Sequence, residues 1–191
     1  MLTADHIKDL LGLAPLPVEG GYYAETYRAV PLAPSASPDP ARRPRATATA
    51  IYYLLTAETL SALHRLSSDE IFHFYLGDSV EQLQLMPDGS GLISIIGPDL
   101  LAGMRPQVIV PAGVWQGARL APTGSHGFAL LGTTMTPGFD FADYESGPGD
   151  ELIAAYPAFR EMIEALTRRP NEAGWRGRAG RTQRAWRGRG D

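Results

Sequence analysis

The chain has 191 residues, 44% hydrophobic and 20% charged, with a formal net charge of −4. That is enough apolar material for one sizeable domain, and it excludes wholesale disorder. The absence of cysteine excludes disulfides, zinc ribbons, thiol nucleophiles and iron–sulfur clusters, and the acidic balance gives no reason to expect nucleic acid or an anionic membrane as partner.

In chain order, residues 3–12 predict a short helix. Thr3 is its candidate cap, Ile7, Leu10 and Leu11 form its apolar stripe, and Gly12 ends it. The same start carries Asp5 and Asp9 and lacks the basic opening of a signal peptide. No apolar run approaches the roughly 20 residues that span a bilayer, so a cytoplasmic protein without a membrane partner is expected. After Gly20 and Gly21, residues 21–29 suit a strand. Residues 31–45 hold five prolines and no periodicity, which predicts an exposed loop.

Short strand-like runs follow at 46–55, 60–66, 70–77, 80–86, 92–97, 107–111, 114–120 and 126–134, separated by turn signals. This spacing argues for an all-β sandwich or barrel rather than alternating βαβ units. A helical pattern over 151–169 is broken at Tyr156–Pro157. One domain over 1–169 is therefore expected, with a helix at each end. From 170 to 191 six arginines alternate largely with glycine and small residues, which reads as a disordered tail. RNA binding by it is the minor reading.

Four histidines make the search for chemistry short. His6 belongs on a helix surface, and His126 follows a turn. His64 and His73 bracket Asp69 and Glu70, an arrangement that can supply an acid/base pair or metal ligands. If 70–77 is extended, Glu70 and Phe72 share one face and His73 takes the other. The favoured pair is His64 with Glu70.

Glu70 followed by six residues and Gly77, together with Pro111-Ala-Gly113-Val-Trp-Gln116, resembles the two cupin motifs. More specifically, VEGGYYAETYR (18–28), AIYYLL (50–55), SALHRLSSDEIFHFYLGD (61–78), VIVPAGVWQGAR (108–119) and TPGFDFADYESG (136–147) resemble the cupin-5 family, in the family's order. Leu16 stands where that family usually has histidine, and Phe72 where tryptophan is common.

The resemblance implies a double-stranded β-helix, the cupin jelly roll, with a pocket inside the barrel. It implies that His64, Glu70 and Gln116 face that pocket, joined by Tyr22 or Tyr23, Glu25, Thr26, Arg28 and Ser61. Strand alternation allows only one of the two tyrosines to line it. Redox-active cupins hold iron or manganese with three histidines and a glutamate. Here an amide, Gln116, stands in for one imidazole, and amide oxygen is a poor transition-metal ligand. No cofactor is therefore expected; the alternative is a weakly held divalent ion on His64, Glu70 and Gln116.

The function expected is epimerase- or isomerase-type proton transfer on a sugar or similar small polar metabolite. His64 and Glu70 would exchange protons, with Tyr22 or Tyr23 as second acid. The alternative is a binding or sensing module without turnover. A homodimer is expected, with the strand at 21–29 adding to a neighbour's sheet edge.

Overall fold

The computed structural model describes residues 2–30 and 45–167. The tail reading and nearly all of the Pro-rich loop lie outside them. Eleven strands form two antiparallel sheets: β1 (Ala14–Pro15), β2 (Tyr22–Arg28), β3 (Thr49–Thr56), β4 (Ser61–Arg65), β5 (Asp69–Gly77), β6 (Val80–Leu85), β7 (Gly91–Ile96), β8 (Gln107–Val110), β9 (Trp115–Leu120), β10 (Phe128–Thr136) and β11 (Glu145–Ser146). One sheet runs β1-β2-β3-β10-β5-β8 and the other β11-β4-β9-β6-β7. This is the jelly roll. Two very short strands, β1 and β11, are additions to the sequence expectation.

The sandwich has three apolar layers, because helices cover the outside of both sheets. The layer between the sheets includes Tyr53, Leu55, Phe72, Val108 and Leu131, with Leu16 buried among them. Helix α1 (Ala4–Leu11) covers the outer face of the first sheet, packing Ile7 against Leu54, Phe128 and Leu130. Thr3 caps α1 by accepting from the His6 N–H, and Gly12 closes it in the left-handed region. Helices α2 (Gly149–Ala155) and α3 (Arg160–Thr167), joined through a 3₁₀ turn at Pro157–Phe159, cover the second sheet. Their Leu152, Ile163 and Leu166 pack on Leu63, Leu83, Leu85 and Trp115.

Two devices position what lies inside. Gly20 and Gly21 have φ of 100° and 70°, the region glycine adopts without strain. A Cβ on Gly20 would overlap the Leu60 carbonyl. The turn therefore lies hard against the start of β4, and the Glu19 carbonyl accepts from the Ala62 N–H at 2.8 Å. The second device is a bulge in β4. Ser61 pairs with Ala118 and His64 with Gln116, so three steps on β4 match two on β9. Both side chains consequently face inward despite their odd spacing.

Candidate active site

Glu70 lies at the centre. Alternation along β5 buries Glu70 and Phe72, while His73 turns outward to bond Thr134 at 3.0 Å and Gln107 at 3.3 Å. The Glu70 carboxylate accepts from Gln116 Nε2 at 2.8 Å, and the Thr133 hydroxyl lies close enough to favour its charged form. Burial and then the negative charge of Glu19 push its pKa up from 4.5 to about 7; His64, Thr133 and Gln116 pull the other way without cancelling that rise. At neutral pH the group is close to half protonated.

His64 is 1% exposed. Its Nδ1 lies 2.7 Å from the Ala62 carbonyl, which can only accept, so Nδ1 carries a proton. In the neutral ring this leaves Nε2 as a bare lone pair, and Nε2 is buried without a hydrogen-bond partner. Such an atom is costly unless something is meant to meet it. The ring stacks on Tyr144, with centroids 4.9 Å apart and planes 16° from parallel. Tyr144 is held there by its own segment. β11 pairs with β4 at Arg65 and His64, Asp143 forms an ion pair with Arg45 at 2.5 Å, and Asp140 accepts from the Ala142 N–H.

Around this pair runs a polar lining that the sequence reading did not anticipate. Gln84 Nε2 donates to Gln82 Oε1 (3.3 Å), Gln82 Nε2 to Gln116 Oε1 (3.4 Å), and Gln116 to Glu70, a one-way ladder ending on the carboxylate. A second carboxylate, Glu19, accepts from Ser61 Oγ at 2.9 Å. The Tyr53 hydroxyl donates to the Gly20 carbonyl at 3.0 Å. Burial, then Glu19, raises its pKa well above the ordinary value. The signals for Glu19 were the two glycines after it, which only a close approach requires.

The structure thus brings His64, Glu70, Gln116 and Ser61 to one interior, and leaves four expected residues away from it. Tyr22 points outward and packs in the layer beneath α1, where the Lys8 ammonium sits 4.5 Å above its ring. Strand alternation makes this unavoidable once Tyr23 faces the inner layer. Glu25 and Arg28 are exposed and pair with each other at 2.6 Å. Thr26, also exposed, donates to the Ala50 carbonyl at 3.1 Å. These three lie on the outer half of β2, where the register shifts between Glu25 and Tyr27.

His126 is exposed and bonds Asp78, whose carboxylate also accepts from the backbone N–H groups of Ser125, His126 and Gly127. That is a loop anchor. A surface depression lined by Asp150, Ile153, Arg160 and Glu164 lies between α2 and α3 and shares no residue with the interior cluster.

The donor set does not fit a transition metal. Gln116 turns its NH₂ to Glu70 and its oxygen to Gln82, and neutral amide oxygen is a weak ligand in any case. Among the described residues, no three His, Cys, Asp or Glu side chains are grouped to hold a metal ion.

Comparisons with known proteins bear on the fold and the family. The solved structure of protein SO0799 from Shewanella oneidensis is 34% identical, with a TM-score of 0.74 over 90% of this chain and 100% of that one. A hypothetical protein from Leishmania major is 29% identical, with a TM-score of 0.75 over 86% of this chain and 98% of that one. The uncharacterized protein YML079W of Saccharomyces cerevisiae is 29% identical over 143 residues, 71% of each chain. Residues 5–147 match the family model described as the cupin superfamily (DUF985), and the chain belongs to that family, cupin-5.

Proposed function

We propose that the barrel interior is a metal-independent proton-transfer site for a small polar metabolite, of the epimerase or isomerase type. The observation that carries this reading is the buried, unpartnered Nε2 of His64, in the same cluster as the buried carboxyl of Glu70, whose pKa burial pushes up to about 7. A base with a free lone pair and an acid still holding its proton are the two parts such chemistry needs.

In the proposed step His64 Nε2 removes a proton from a carbon beside a carbonyl, and the C–H electron pair passes into an enolate. Gln116 and Gln82 amide hydrogens steady the enolate oxygen. Protonated Glu70 returns a proton to the carbon, leaving Glu70 ionised and His64 charged until solvent restores both. Tyr23, on the inner face, is retained as an auxiliary acid; Tyr22 is not. A reducing cytoplasmic setting accords with a chain that has no cysteine.

The test is incubation with free aldoses and ketoses in D₂O. Wild type incorporates one deuterium at the carbon beside the carbonyl, and EDTA leaves the rate unchanged. A second reading, binding without turnover, is favoured by the closure of the cluster, since His64, Glu70, Gln82 and Gln116 are all buried. Ligand-dependent stabilisation with no deuterium incorporated would select it.

We propose further that the protein is a homodimer joined along β2, whose residues beyond Tyr23 pair on one side only among the described residues. Sedimentation at micromolar concentration should give twice the chain mass of 20.6 kDa; a monomer overturns this.

A further inference from the structure

Which ligand the interior accepts can be argued from what it has left to offer. Apart from the proton that Glu70 carries when un-ionised, the interior's donor atoms are largely engaged. The ladder glutamines donate to one another and to Glu70, Ser61 donates to Glu19, Tyr53 to Gly20, and His64 Nδ1 to Ala62. What remains unspent is mostly lone pairs: His64 Nε2, and further sites on the Glu70 and Glu19 carboxylates, each of which has room for about four acceptor contacts. Gln82 and Gln116 keep a second amide hydrogen each, and these are neutral donors.

Charge gives an independent argument. An oxyanion held out of water needs a cation or a nest of backbone N–H groups. Every described cation is engaged elsewhere. Arg28 pairs with Glu25, Arg45 with Asp143, Arg65 with Glu145 and Arg119 with Glu81. Lys8 and Arg160 pair with Asp5 and Glu164 on their own helices, and Arg105 bonds the carbonyls of Gly103 and Met104. The cluster itself holds two carboxyl groups, the buried Glu70 and the half-buried Glu19, whose negative charge would repel a phosphate or carboxylate brought against them.

We infer that the site takes an uncharged polyhydroxy compound, a free sugar or polyol whose hydroxyls donate to His64, Glu70 and Glu19, and that it rejects phosphorylated and carboxylated sugars. This rests on the proposed interior site but not on turnover.

The experiment is a thermal-shift comparison of wild type and His64→Ala at pH 7, using free aldoses, ketoses and polyols against matched sugar phosphates and uronic acids. At least one uncharged compound at about 20 mM should raise the wild-type Tm by about 2 °C or more, and His64→Ala should lose that rise. Glu70→Gln is the second variant if His64→Ala does not fold, and it should weaken the same response. The inference is overturned if no uncharged compound acts, or if a phosphate or uronic acid gives a shift that depends on His64. An uncharged compound that stabilises but exchanges no deuterium leaves this inference standing and removes the proton-transfer reading alone.

Discussion

Glu70→Gln is expected to make the protein more stable at pH 8 by on the order of 3 kcal/mol, the free energy that separates a carboxyl pKa of 4.5 from one of about 7. The sign follows from linkage. A carboxyl whose folded pKa is raised binds its proton more tightly in the folded chain, so its contribution is fully present below about pH 4.5. Between pH 4.5 and 7 the unfolded chain releases the proton first, and stability falls as pH rises. Above 7 the folded protein carries the whole cost of a buried carboxylate. Glutamine has no charge to desolvate, and its amide oxygen can still accept from Gln116. The difference between wild type and variant, measured by urea unfolding from pH 4 to 8, should therefore open across that window. Parallel curves would show that Glu70 titrates normally.

His64→Ala should reduce deuterium exchange into substrate by roughly 100-fold or more, the usual contribution of a positioned general base. Its stability should change by only about 1–2 kcal/mol, within the range of an ordinary substitution. The two effects separate for a physical reason. The ring contributes a stack on Tyr144 and one hydrogen bond to Ala62, and its buried, unpartnered Nε2 carries a desolvation cost that offsets part of that gain and disappears with the ring. Loss of exchange with folding retained assigns the base; exchange retained in His64→Ala removes it.

Local rules carried the sequence reading a long way at β5. Two-residue alternation alone separates Glu70 and Phe72 from His73, and that separation is what the folded strand has. The same rule left Tyr22 and Tyr23 open, because both faces of β2 accept an aromatic. Only the position of α1, remote in the chain's logic, puts Tyr22 outside. The glutamines were hidden by a different effect. In VEQLQLM the ordinary assumption turns leucine inward and glutamine to solvent, yet α2 and α3 bury Leu83 and Leu85 on the outside of the sheet. Gln82 and Gln84 are thereby turned into the barrel at 0% and 3% exposure.

Thr133 was invisible for a third reason. It comes near Glu70 through tertiary placement on β10, with no sequence neighbour to mark it. Glu25, Thr26 and Arg28 illustrate the converse. Polar residues on a matching stretch of chain found partners among themselves and their own sheet, well away from the interior.

The central claim is that burial lifts the pKa of a carboxyl inside the barrel to about 7, so that part of it is still protonated at neutral pH. A pH titration of the protein labelled with ¹³C at glutamate side-chain carboxyls, with Glu70→Gln to identify the resonance, tests it most directly. A Glu70 midpoint near 7 is the predicted result; a midpoint between 4 and 5, the range of an exposed glutamate, would contradict it.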